Sequence, residues 1–443
     1  MAVAYQNPST YNTGIYTYAG ASGAFPVLGA IIDFSDGATF ITTAMTLDSS
    51  TLGQLDTGQL AVPTDRVDIS SLLISASIRR GRNRILDQFQ AGTATVVLND
   101  ATGDFNPLNS SGAYYGKLVP LRKIQIFADY NGVRYPLFYG YINTYSTGFA
   151  NGVAGVSQVT LQCTDGFRLL NNVIISTIAA ASAGDTTGAR IGQILDLSGW
   201  PAGQRSIDTG SSTVQADPGT ANRAVLDALQ LVADKTEFGG VFCNNQGVMV
   251  FYSRNNLGLR AAQPIYSFDD AGINIGYQGI SIAHDDVLIV NDVKVNRLGG
   301  AVQEVTDSTS ISTYFTHSGV RADNLLQSDT EVLSMAKMLL ATRKDASVRI
   351  DSLTLNLFDN SGSATTRVTA GLLIDIFTPI TVSKTMPGAS NFTETLLVQG
   401  ISHDITKSSF KTTLMTAEPV IKSFVLDNSN VGVLDGTAGL ITY

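Results

Sequence analysis

The sequence predicts a β-rich α+β chain of several domains, in which two small antiparallel β-barrels flank a mixed α/β middle. Three observations lead there. A length of 443 residues exceeds what one core usually supports, so several domains are expected. Period-two apolar alternation dominates two separate stretches, and helical spacing dominates the stretch between them. The 42 glycines, together with abundant Thr, Ser and Val, suit short strands joined by tight turns.

Residues 1–66 carry scattered Gly, Tyr and Thr without sustained apolar periods and read as an extended N-terminal arm. They include LDSSTLGQLD at 47–56, which returns near the other end as LDNSNVGVLD at 426–435. Each copy reads as a tie: Gly and Asp permit a reversal, and Leu55 or Leu434, next to Asp56 or Asp435, supplies an anchor. Such ties suit either strand addition to a neighbour or folding back on the chain's own barrel.

From residue 67 to 165 the pattern is a first β-barrel, with strands at ISASIRR, GTATVVL (92–98), PLRKIQIFADY (120–130), NGVRYPLFYGYINTY (131–145) and SQVTLQC (157–163). Ile124, Ile126 and Ala128 share one face, and Asn131-Gly132 is a hairpin dipeptide. Residues 166–344 read as the mixed middle, in two subdomains. A helix is expected over Ala189 to Leu197. A second is expected from an Asp217-Pro218 cap through Ala221, Val225, Leu229 and Val232. A hairpin follows around Asn245-Gln246-Gly247, and a third helix opens at Ser328 with capping-box spacing to Glu331.

Residues 345–420 return to strands as a second barrel, and 421–443 form a C-terminal tail. The order of pieces repeats: TATVVLND echoes SLTLNLFD, LRKIQIFADY echoes LLIDIFTPI, and PLFYGYINTY echoes LLVQGISHDI, which sets Gly140 opposite Gly400. An internal duplication of one barrel is the expectation.

The charged fraction is 15%, where roughly a quarter is usual for soluble domains, so much of the surface is expected to face protein. A formal net charge of −9 argues against a nucleic-acid-binding surface, while an acidic wall would let DNA slide past. No run reaches the ~18 apolar residues of a membrane helix, and the N-terminus lacks a basic-then-apolar leader. The chain is expected to be made in a cytosol without stable membrane insertion.

The sequence is read as non-enzymatic, with no catalytic residues, no metal and no cofactor: HExxH, phosphate-loop, GxSxG and GxGxxG patterns are missing. His284, His317 and His403 read as exposed or loop histidines beside turn-forming residues, and Cys163 and Cys243 as buried reduced thiols. Asp100, Asp104 and Asn106 offer oxygens to a cation but lack EF-hand spacing, and an Asx-turn loop explains them as well. Trp200 reads as a core or interface plug. The densest basic cluster, IRRGRNR, holds Arg79, Arg80, Arg82 and Arg84; it is expected at a strand end or an ion-pairing subunit interface.

The stretch ISASIRRGRNRILDQFQAGTATVVLNDATGDFNPLNSSGAYYGKLVPLRKIQIFA (74–128) resembles the opening domain of minor tail proteins of tailed bacteriophages. The resemblance continues through GARIGQILDLSGWP (188–201), IDTGSSTVQA (207–216) and ALQLVADKTEFGGVFCNNQGVMVF (228–251). The terminal ties also look like those such proteins carry. The order barrel, mixed middle, barrel, tail is similar to the baseplate or tail hub family. That resemblance implies a homotrimer whose two barrels per chain form a pseudo-sixfold ring. It would adapt a sixfold tail tube or distal tail ring to threefold fibre or spike proteins, in the virion, after assembly in the host cytoplasm. DNA would pass through the lumen without specific binding. Two alternatives stay open: a distal-tail ring or other minor tail component of hexameric stoichiometry, and a receptor- or carbohydrate-binding tail protein using Tyr-rich loops such as GAYYG (112–116) and RYPLFYGY (134–141).

Overall fold

The computed structural model describes residues 25–35, 37–38, 65–85, 87–149, 157–217, 219, 222–388 and 391–419. It is β-rich, with helices concentrated in the middle of the chain.

The first unit contains β1 (Val27–Asp33), β2 (Arg66–Asp68), β3 (Leu73–Gly81), β4 (Gln90–Asn99), β5 (Arg122–Tyr130), β6 (Val133–Phe149) and β7 (Ser157–Thr164). Its strands run β3-β4-β7-β6-β5-β1-β2. Ile124, Ile126 and Ala128 of β5 are buried on the predicted face. Asn131 and Gly132 adopt φ of 50° and 76°, the left-handed pair that a two-residue hairpin demands, so Tyr130 faces Val133 directly.

The middle holds α1 (Phe167–Asn172), α2 (Thr187–Leu197), α3 (Val225–Gln230), α4 (Arg254–Ala261), α5 (Ser308–Tyr314) and α6 (Asp329–Arg343). Two hydrophobic cores divide it. One gathers Ile191, Ile194, Trp200, Val225, Leu229 and Phe251; the other gathers Val293, Val295, Val332, Met335 and Leu339. The predicted hairpin is present, with Cys243 facing Met249 and Gly247 at φ 80°. So is the capping box: the Ser328 hydroxyl accepts from Glu331 N at 3.2 Å, and the Glu331 carboxylate accepts from Ser328 N at 3.1 Å.

The second expected helix starts later than the sequence suggested. Asp217 does not cap it; its carboxylate accepts from Ile178 N at 2.7 Å and pairs with Arg223 at 2.6 Å, so the helix begins at Val225 and continues as a π-helical turn over Leu231–Thr236.

The second unit contains β8 (Tyr266–Asp269), β9 (Gly279–Ala283), β10 (Arg349–Asn356), β11 (Pro379–Lys384), β12 (Phe392–Thr406) and β13 (Ser409–Ala417). Between β10 and β11 lies α7 (Ala364–Leu373), where strands were expected. Val368, Ala370 and Leu372 are buried, and Gly371 lets Leu357 approach so closely that a Cβ would sit 2.6 Å from its Cδ2. Strand structure resumes at Pro379, after a left-handed bend at Phe377.

In the second unit the strands run β9-β10-β13-β12-β11-β8, the same order as β3-β4-β7-β6-β5-β1, except that β8 runs parallel to β11 where β1 runs antiparallel to β5. The register repeats as well. Arg79 faces Thr93 and Thr93 faces Thr164; Ser281 faces Ser352 and Ser352 faces Met415. Gly81 faces Gln90 just as Ala283 faces Arg349. The TATVVLND/SLTLNLFD echo therefore matches strand to strand. The other two echoes need correction. LLIDIFTPI covers a helix end and a bend, so the counterpart of β5 is β11; and Thr164 faces Tyr141 where Met415 faces Gly400, which sets Gly400 against Tyr141 instead of Gly140.

No closed barrel is found among the described residues. Instead both units join one fourteen-stranded sheet. The reason is β12: its first half pairs β11, while Gly400–Thr406 pairs antiparallel with β3 on that same side, so one unit's edge is filled by the other. One hydrophobic core accordingly contains Ile78, Ala94 and Ile142 along with Leu353, Ile401 and Phe410. Strands β1, β8 and β9 also lie outside the spans read as barrels from sequence.

Candidate assembly surfaces

The β3–β12 seam is where the basic cluster resolves into individual roles. Gly81 closes β3 at φ +89°, and a Cβ there would lie 2.4 Å from the Gln399 carbonyl oxygen and 2.6 Å from Gly400 Cα. The two backbones meet too closely for any side chain. Arg80 is buried and pairs with Asp375 at 2.7 Å. Arg82, also buried, donates from Nε to Gln399 Oε1 at 2.9 Å and from Nη1 to the Asp87 carbonyl at 3.1 Å, with its guanidinium 4.5 Å from the Phe89 ring centroid. These two arginines tie the first unit to the second within one chain. Arg79 and Arg84 are exposed; the Arg79 guanidinium donates to Asn83 Oδ1, and Arg84 N donates to Asp87 Oδ2 at 3.1 Å.

Beneath the seam lie two buried titratable groups. Asp165 accepts from Gly92 N at 2.7 Å and Phe167 N at 3.0 Å, and burial pushes its carboxyl up to about 7 against those bonds and Arg80. His403, on β12 opposite Ile78, bonds Thr412 Oγ1 through Nδ1 at 3.0 Å; burial and then Arg80 push it down to about 3. The sequence reading of His403 as an exposed or loop residue is therefore corrected: it sits inside a paired strand at 2% exposure.

A cleft of about 640 Å³ opens beside the arginine turn, lined in part by Arg82, Asp234, Phe238, Arg321, Leu339 and Arg343. Neither oxygen of the buried Asp234 carboxylate has a hydrogen-bond partner among the described residues. Burial raises it to about 6, while Arg82 and Arg321 pull it back. The cleft is a charged recess with an apolar wall.

The remaining sequence candidates take local roles. In the 99–109 loop, Asn106 Oδ1 accepts from Leu108 N at 3.0 Å, an Asx-turn, whereas Asp100 Oδ2 accepts from Phe105 N at 3.2 Å and Asp104 Oδ1 from Ala113 N at 2.9 Å, longer-range bonds that tie the loop together. Cys163 and Cys243 are free and buried. Trp200 is buried and donates to the Gln204 carbonyl at 2.9 Å. His317 bonds the Tyr314 carbonyl through Nε2 at 3.1 Å. Tyr114 stacks on Phe34 at 5.1 Å and Tyr141 is buried, whereas Tyr115 is exposed. Both ties, with Leu55, Asp56, Leu434 and Asp435, lie outside the described residues.

Sequence reasoning missed two surface features. One is the outer edge of β9, which has no strand partner among the described residues; the other is the edge of β6 from Thr144 onward, past the last β5 pair, Arg122 with Ile142. Along that part of β6 exposure alternates, Thr144 and Ser146 outward and Tyr145 half-buried, a period-two signal that the sequence run YINTYS already carries.

No family model matches the chain, and no curated protein matches it. Among solved structures, a tail protein from Neisseria meningitidis MC58 is similar at 12% identity and TM-score 0.49, covering 78% of this chain and 92% of that one. The 43 kDa tail protein of prophage MuSo2 from Shewanella oneidensis is similar at 13% identity and TM-score 0.49, covering 79% and 95%. Prophage tail protein gp18 from Listeria monocytogenes EGD-e follows at 11% identity and TM-score 0.44, covering 80% and 91%. These likenesses are too distant to carry a fold or a role over to this chain.

Proposed function

We propose that this chain is a structural hub of a phage tail tip: a homotrimer whose two sheet units per chain make six near-equivalent positions around a DNA exit channel, against a sixfold tube or distal ring, with fibre or spike proteins on the opposite side. The observation that carries the reading is the repeat itself. Two units with the same strand order and matched register stand edge to edge within one chain. A chain built that way presents two similar faces where a single-unit subunit presents one, as an adaptor between threefold and sixfold symmetry requires. The sequence series from 74 to 251 supplies the tail context, and the net charge of −9 suits a channel that DNA traverses.

The packing of Tyr114 and Tyr141 into the protein weighs against a sugar-binding platform in the Tyr-rich loops. In this reading the protein is not an enzyme. The test is the mass of the purified protein in solution together with particle symmetry in electron images of the tail tip. A trimer with a sixfold outline beside the tube is expected. A hexamer would overturn the hub in favour of a ring component, and a monomer found only at fibre tips would favour a receptor binder.

A further inference from the structure

The β3–β12 seam has a counterpart that one chain leaves unmade. Within the chain, Ser402, His403 and Asp404 of β12 face Arg79, Ile78 and Ser77 of β3. The repeated register assigns each of these an equivalent. Thr144, Tyr145 and Ser146 of β6 face Gln162, Leu161 and Thr160, just as Ser402, His403 and Asp404 face Thr413, Thr412 and Lys411. On the other side, Ser281, Ile280 and Gly279 of β9 face Ser352, Leu353 and Thr354, just as Arg79, Ile78 and Ser77 face Thr93, Ala94 and Thr95.

Among the described residues neither equivalent has a strand on its outer edge, and at the edge of β6 the Tyr145 hydroxyl donates to the Val119 carbonyl at 3.4 Å. Among the described residues β9 pairs only with β10, and β6 beyond Ile142 pairs only with β7. We infer that β9 of one chain adds antiparallel to the outer edge of β6 in a second copy, with Ser281 opposite Thr144, Ile280 opposite Tyr145 and Gly279 opposite Ser146.

The side chains suit that pairing. In the seam inside the chain the inward pair is Ile78 with His403, both buried. Its equivalents Ile280 and Tyr145 are half-buried hydrophobics that already pack on the main core, and strand addition would cover their remaining surface. The outward equivalents, Ser281 and Thr144, are exposed small polar residues that oppose no charge. The ladder is shorter than the internal one, because β5 already occupies the edge of β6 as far as Ile142.

The contact is heterologous, one edge meeting a different edge, so it repeats head to tail until it closes. It also pairs two strand edges that have no partner among the described residues, edges of the kind that invite aggregation. This inference deepens the ring reading above and rests on it for closure at three copies.

The test is the full-length double variant S281C/T144C, oxidised or treated with a short bis-thiol crosslinker and compared with S281C/S146C, which is out of register. The native thiols, Cys163 and Cys243, are buried and leave the new pair as the exposed one. The expected result is covalent dimers and trimers in the in-register variant, several-fold above the out-of-register control. A trimer by mass that fails to crosslink in register overturns the pairing and leaves the hub reading standing. In-register crosslinking in an assembly other than a trimer upholds the pairing and overturns threefold closure. A single-chain species that does not crosslink at any concentration overturns both.

Discussion

Arg80 illustrates how much of the seam depends on one charge placed where water is excluded. Its side chain is 2% exposed and Asp375 is 23% exposed, so removing the cation leaves a carboxylate only partly able to recover hydration. Arg80→Met is expected to cost roughly 3 kcal/mol of unfolding free energy, the low end for a buried pair, as measured by urea denaturation. The two titratable groups beneath it give opposite pH signatures. Asp165 has a folded-state value of about 7, above its unfolded range, so it weakens the fold as pH rises from about 4 to 7. His403, at about 3, lies below its unfolded range; the unfolded chain binds the proton first, so stability falls as pH drops from about 6.5 to 3. Relative to the native sequence, Asp165→Asn should gain stability as pH rises, by at most about 4 kcal/mol across that window. His403→Gln should gain it as pH falls. Parallel pH trends in the two variants would contradict the assignment.

At the scale of elements, helix ends and strand edges decide what could be read in advance. The α6 start was legible because Ser328 and Glu331 satisfy each other's backbone N–H groups at a fixed local spacing; Ser328→Ala should cost about 1 kcal/mol. Melting followed by far-UV circular dichroism checks that value. The α3 start was not legible, since the Asp217 carboxylate is taken by Arg223 and by Ile178 N, the latter well away in sequence. Helix α7 was missed because an apolar run such as GLLIDIF fits a buried strand as well as a helix end, and only the tight contact of Gly371 with Leu357 separates them. Arg80 and Arg82 were singled out from sequence, yet their inward direction follows from the turn at Gly81, which faces Gly400 and sets Arg82 N to donate to the Gln399 carbonyl. Gly81→Ala meets both a left-handed φ and the Gln399 carbonyl, and is expected to destabilise by about 2 kcal/mol or more, read as a lowered urea midpoint.

For the whole molecule, the consequence is that two units defined by sequence share one strand ladder and one core. Separate barrels would open independently, each with its own free energy; units that share β3 and β12 should open together. Ile78 sits at that junction, buried in the common core and facing His403 across the seam. Ile78→Ala is expected to cost about 2–5 kcal/mol. In hydrogen exchange it should lower protection in β13 of the second unit as much as in β5 of the first. Met335→Ala, in the separate core around α6, should lower protection there and spare both sheet units. If Ile78→Ala left β13 protected while β5 opened, the ladder through β12 would be a surface apposition of two independent domains. The chain would then bring its repeated units together as a hinge, and the fixed spacing that a ring of such units needs would have to come from neighbouring copies.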